Sequence, residues 1–284
     1  MNLATSVQRF AELWMLNSQA RAERVLMVIN VEKPLNVFMD ESRQDRYGPA
    51  IYSVTAYLST FDAWMDLHVE WEKTLNHWKV KCFHATDFLG RWGEFKNGWS
   101  DNERTEFITR LAYIASEHTT LGIGCAIRQD EYDRAIPASV QAYFGKDAYG
   151  FCLYTILVML LNFEESSRAR LPKPLYVLFD RKPEFQGTAL RIYEDLKKSD
   201  SDPAGVIGDF GFGGKERYPQ LQAADLLVYE TTRGYIEQIR QEGWSHPVID
   251  LLNRKHNLMI VKPTEALLQK YIEFLEEANA VKVR

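Results

Sequence analysis

The sequence predicts an α/β fold: a mixed, mostly parallel sheet covered by helices and opened by an antiparallel hairpin. Three observations predict it. Short runs rich in β-branched and aromatic residues alternate with longer stretches of helical apolar spacing, the pattern of strands joined through helices. The first two runs are separated only by "SRQDRYGP", which reads as a hairpin loop. Two apolar runs, "NVFMDES" and "LYVLFD", carry acids at their carboxyl ends, where a strand with both faces buried should carry none.

Each element has its own signal. Leu3, Val7, Phe10 and Trp14, and again the region near Val25, have helix-like spacing ahead of the break at Lys33-Pro34, so residues 1–33 predict an N-terminal helical arm. Strands are expected at 35–41, 50–58, 121–128, 175–180 and 205–212, and helices at 60–78, 101–118, 147–166, 186–198, 219–240 and 264–280. Ser100 and Glu103 have the spacing of a capping box, and Pro219 suits a first helical position because its missing N–H would have no partner there. The α/β body then spans 34–240, with 241–284 as a C-terminal extension on the same domain.

Composition narrows the function classes. The 284 residues are 46% hydrophobic and 13% aromatic, enough for a sizeable core. The longest apolar stretch, "YGFCLYTILVMLLNF", is too short to cross a bilayer, and the first residues lack a compact signal-peptide core, so a cytoplasmic protein without membrane partners is expected. Cys82, Cys125 and Cys152 are far apart without a CxxC pair, which argues against a disulfide framework and a cysteine zinc site. A net charge of −5 argues against a generally basic nucleic-acid coat but leaves room for a local basic groove.

The acids carry the chemistry. Neighbouring residues of a strand face opposite ways, so Asp40 falls with Phe38 and Glu41 with Met39, and both serve one site only if the strand ends or bulges there. Asp180 ends the second apolar run, and it meets Asp40 in the crevice at the strand ends if their strands are parallel neighbours. In "YPQLQAADLLVYETTRGYI", Asp225 shares a helix stripe with Leu221, Val228, Tyr229 and Thr232, and only Gln222 offers another polar group nearby. Gathered carboxylates repel one another and lose hydration, which demands a cation.

"FMDES", "VLFD" and "PQLQAADLLVYE" together resemble the signature of the bacterial family known as domain of unknown function 3800, placed among ribonuclease H-like folds. The resemblance covers roughly residues 35 to 235, and the late motif is its most specific part. It implies a ribonuclease H-like sheet in which Asp40, Asp180 and Asp225 gather around Mg²⁺ or Mn²⁺, with Glu41 as a fourth acid or a support for the others. Such a sheet begins with three antiparallel strands, so the helical region between the second and third strands, about 60–118, reads as an insertion.

Other residues are weaker candidates. Lys215 and Arg217 in "GFGGKERY" are possible phosphate contacts, set against a plain glycine-rich turn. In "VKCFHATDFLGRWGEF", His84 is a candidate catalytic group and Asp87 a candidate substrate contact, as is Gln222; the alternative makes Thr86 or Asp87 a helix cap and His84 a hydrogen-bonded, partly buried residue. Trp64, Trp71 and Trp78, seven apart, make one helical stripe that reads as packing rather than base stacking, with homodimerisation as a further use. The expected function is a metal-dependent nuclease or phosphoesterase acting on nucleic acid or a nucleotide. The alternative is a non-catalytic module that binds nucleic acid or protein in a mobile-element or phage-defence system.

Overall fold

The computed structural model describes residues 34–46, 48–161, 174–198, 205–240, 247–263 and 268. The expected arm over 1–33, residues 162–166 of the third expected helix and nearly all of the expected helix at 264–280 lie outside the described residues.

A six-stranded mixed sheet forms the centre, flanked by helices. Strand β1 (Leu35–Gln44) pairs antiparallel with β2 (Ile51–Thr60), and β2 pairs antiparallel with β3 (Leu121–Arg128). On the other side of β1, β4 (Leu175–Asp180) and then β5 (Ile207–Gly213) run parallel to it. Strand β6 (Leu258–Val261) runs parallel to β3 at the far edge, giving the order β5-β4-β1-β2-β3-β6. The hairpin is longer than expected, because β1 continues through Gln44, which pairs with Ile51. Strand β6 was not expected: four apolar residues, "LMIV", are too few to show an alternation.

Helices α1 (Phe61–Trp78), α2 (Ala85–Gly90) and α3 (Asp101–His118) occupy the chain between β2 and β3. Helices α4 (Gln129–Ala135), α5 (Ala138–Phe144) and α6 (Tyr149–Leu161) lead into β4, α7 (Pro183–Lys198) joins β4 to β5, and α8 (Pro219–Ile239) and α9 (Pro247–Leu252) follow β5. Local chemistry sets several boundaries. Ser100 and Glu103 form the expected reciprocal capping box, and Pro219 opens α8. None of the described helices is long and apolar enough to cross a membrane.

The period-2 pattern of β1 divides the interior. Leu35, Val37 and Met39 pack with α6 and α7 in one core, whereas Phe38 packs into the opposite core with α1, α3, α8 and α9. The tryptophan stripe is packing, as expected. Trp64 and Trp71 are buried, with Trp64 Nε1 donating to the Asn36 carbonyl at 2.9 Å, and Trp78 stacks on Trp99 at 5.2 Å.

Close packing at β3 depends on glycine. A Cβ added at Gly122 would stand 2.3 Å from Leu258 Cδ2 on β6 and 2.8 Å from Cε1 of the buried Tyr57. Gly122→Ala is therefore expected to destabilise the fold by about 1–3 kcal/mol through overpacking. Urea denaturation checks this, and an unchanged midpoint would show that Leu258 and Tyr57 yield freely.

Candidate active site

The parallel register of β1 and β4 builds the site. Phe38 stands beside Leu178 and Met39 beside Phe179, so the next pair along is Asp40 and Asp180, on the face shared with Phe38. Asp180 pairs in turn with Gly213 at the end of β5, which places Lys215 just beyond the sheet. The condition for Asp40 and Asp180 to meet, parallel neighbouring strands, is satisfied.

Helix α8 supplies the third acid by crossing the same face at close range. Ser53 Oγ and Thr232 Oγ1 lie 2.5 Å apart, and Thr55 Oγ1 donates to the Ala224 carbonyl at 3.2 Å. Small residues on both surfaces permit this approach and bring Asp225, next to Ala224, over the end of β4 and the middle of β1. The Ala85 amide at the start of α2 donates to Asp225 Oδ2 at 2.6 Å and fixes the carboxylate.

The cation at the centre is Lys215. Its Nζ lies 2.8 Å from Asp40 Oδ2, 3.2 Å from Asp180 Oδ2 and 2.8 Å from Asp225 Oδ1. Lys215 is 4% exposed and Asp40 fully buried, while Asp180 and Asp225 keep slight access to solvent. The Asp40 Oδ2 contact lacks hydrogen-bond geometry, so this buried oxygen holds an ion pair without a hydrogen bond. As the side chains stand, the described residues contain no group of three or more His, Cys, Asp or Glu side chains poised to hold a metal ion.

A second lysine, Lys182, lies two residues past Asp180 and was not among the expected site residues. Its Nζ donates to Asp40 Oδ1 at 3.3 Å and to the Glu41 carbonyl at 2.5 Å, and it lies 3.1 Å from Glu41 Oε1. Because β4 ends at Asp180, Lys182 can wrap around the end of the strand and touch acids that project from opposite faces of β1. Glu41 thus joins the site through Lys182, on the face opposite Asp225, rather than through the cation that binds the three aspartates.

Burial and pairing drive the protonation of these groups apart. Burial disfavours the Asp40 carboxylate, but Lys215 and Lys182 overcome it and hold the group below its ordinary range. Asp225 is pushed up, by burial first and by Asp40 second, against the pull of Lys215. Glu41 is pushed up to about 8, chiefly by burial, with Asp40 adding to the effect and Lys182 opposing it. Burial works against the Lys215 ammonium, but Asp40, Asp225 and Asp180 outweigh it and raise its affinity for the proton well above the ordinary lysine value.

The remaining candidates occupy other positions. Lys215, a candidate phosphate contact, is buried among carboxylates. Gln222 has its side chain fully engaged: Oε1 accepts from Trp71 Nε1 and the Phe83 amide, both at 2.9 Å, and Nε2 donates to the Lys215 carbonyl at 2.8 Å. Both polar ends of this side chain are thus occupied within the protein. His84 caps α2 through its backbone and places Nε2 3.8 Å from Cys82 Sγ; the neighbouring Ala85 amide, not the imidazole, is what reaches Asp225. The Cys82 thiol is pushed up to about 12 by burial, which makes it a poor nucleophile. Asp87 is half-buried on α2, and its backbone carbonyl accepts from the Trp92 amide. Arg217 is exposed, with its guanidinium 5.7 Å from the Tyr218 ring centre. Comparison of the chain with protein-family models, curated proteins and solved structures finds no match.

Proposed function

We propose that the protein is a divalent-metal-dependent phosphodiesterase, of which a nuclease is the leading form, built on a ribonuclease H-like sheet. One observation carries the reading: aspartates from β1, β4 and α8 converge on a single cation where β4 ends beside its parallel neighbour β1. The sheet supports it, with three antiparallel strands followed by two parallel ones beside β1. The donor set fits Mg²⁺ or Mn²⁺, which favour hard carboxylate oxygens, and three such oxygens already point at one position.

Asp40, Asp180 and Asp225 would hold the metal. When bound, an ion of this kind activates water and stabilises the leaving oxygen of a phosphodiester. The chain's own groups do the rest. The Ala85 amide orients Asp225, and Gln222 anchors the backbone of Lys215. Lys182, one-third exposed, restrains Asp40 and Glu41 and offers positive charge at the edge of the cluster. Arg181 and Arg217, both exposed, add cations for a polyanionic substrate.

A second reading has its own support. Lys215 already neutralises the three aspartates, so the cluster is also compatible with a non-catalytic ribonuclease H-like scaffold that binds nucleic acid or protein elsewhere. Titration calorimetry with Mn²⁺ separates the two when paired with hydrolysis of bis(para-nitrophenyl) phosphate and of single- and double-stranded DNA and RNA. Wild type is expected to bind Mn²⁺ at micromolar to millimolar concentrations and to hydrolyse phosphodiesters, with both properties lost in Asp40→Asn and Asp180→Asn. Folded wild type that neither binds Mn²⁺ nor cleaves any of these substrates would favour the scaffold.

A further inference from the structure

We propose that Lys215 is the resident cation of the carboxylate cluster and that a divalent ion enters only by exchange with its ammonium. The proposal rests on the aspartates being a metal site, and it adds what sets the affinity of that site and what Lys215 does once displaced.

The geometry makes simultaneous occupancy unfavourable. Lys215 Nζ stands 2.8, 3.2 and 2.8 Å from one oxygen of Asp40, Asp180 and Asp225, at the point where those oxygens converge. A Mg²⁺ ion binds carboxylate oxygens at about 2.0–2.1 Å, so it needs the same point with the oxygens drawn in by roughly 1 Å. An ammonium held beside it would repel it across a buried space. Exchange breaks no covalent bond, because the ammonium leaves with its proton, and it raises the charge set against three aspartates from one to two.

The chain is built for a side chain to leave while its backbone stays. Gln222 Nε2 holds the Lys215 carbonyl, and the Gly214 carbonyl accepts from the Arg217 and Tyr218 amides at 3.0 and 3.2 Å. A Cβ added at Gly213 would crowd the Tyr218 ring and Leu178, so close neighbours flank the start of this turn. The four-carbon stem of lysine supplies the motion. Asp180 and Asp225, unlike Asp40, keep slight access to solvent, so the ammonium would leave on their side of the cluster. Once there it is a cation beside the metal position, suited to a phosphate oxygen of the substrate. The glycine-rich stretch then serves as a phosphate contact in the metal-loaded protein alone.

Two measurements test this. By calorimetry, Lys215→Met is expected to bind Mn²⁺ about tenfold or more tightly than wild type, since apparent affinity is reduced by the fraction of molecules whose ammonium has left. Lys182→Met removes the same charge without touching Asp180 or Asp225 and should change the affinity much less. Equal tightening in both variants, or an unchanged or weaker affinity in Lys215→Met, would overturn the exchange while leaving the metal site intact. Absence of Mn²⁺ binding in wild type and both variants would overturn the metal site as well. Because Lys215→Met can fold poorly, the second measurement uses wild type: amine-reactive labelling read by mass spectrometry. Lys215 should be protected in chelator and become labelled at saturating Mn²⁺. Protection that persists with Mn²⁺ bound would overturn the exchange.

Discussion

Replacing Lys215 with methionine is expected to destabilise the metal-free protein by about 3–5 kcal/mol, the scale for removing one partner of a buried ion pair. The size follows from what remains. Asp40 is fully buried, and its Oδ2 has no hydrogen bond to fall back on. Asp180 and Asp225 then face it with no cation between them. The orphaned carboxylates can recover part of the loss by taking up protons, so the destabilisation grows with pH. Mn²⁺ should restore much of the loss by binding the folded state alone. Urea denaturation in chelator and in Mn²⁺ reads both effects. A loss below about 1 kcal/mol in chelator would show that the aspartates are solvated well enough to need no counter-ion.

Glu41→Gln should act in the opposite direction at alkaline pH. The Glu41 carboxyl is raised from 4.5 to about 8 in the folded protein by its burial. Between those values the folded state holds a proton that the unfolded chain has lost, so wild-type stability is greatest below the lower value and falls as pH rises through the upper. The full fall from this group is about 5 kcal/mol, since each tenfold gain in proton affinity corresponds to about 1.4 kcal/mol. Glutamine keeps the shape and cannot ionise. The variant is thus expected to match wild type near about pH 5 and to exceed its stability by several kcal/mol near about pH 9. A difference between the two proteins that stays constant across this range would rule out buried ionisation as the cause.

Much of this arrangement was legible because charge interrupts an apolar pattern. Asp180 stands out where an otherwise buried strand ends, Asp40 stands out within an apolar one that runs on to Gln44, and Asp225 stands out on a helix stripe of alanine and leucine. Period-2 alternation also separated Glu41 from Asp40 correctly. The identity of the central cation was not legible. Lys215 sits in a glycine-rich turn whose sequence says nothing of the direction of its side chain, and only the pairing of Asp180 with Gly213 aims it inward. Lys182 was missed for a related reason. Its place beside Asp180 in the sequence is plain, but its reach to both acids of β1 depends on β4 stopping where it does. The Ala85 amide carries no side-chain signal at all, and β6 is shorter than the periods by which strands are recognised.

The sheet order also fixes when the site can exist during synthesis. Strand β1 lies inside the sheet, yet Lys182 follows Asp40 by 142 residues. At about 5–20 residues per second, roughly 7–30 s separate the two on the ribosome. During that interval β1 has only β2 and β3 as sheet companions, and its β4-facing edge, with Leu35, Val37 and Met39 on one side, lies open to other chains. Asp40 and Glu41 lie along that strand just past its apolar residues and, while exposed to water, are charged, the kind of residue that discourages edge-to-edge pairing.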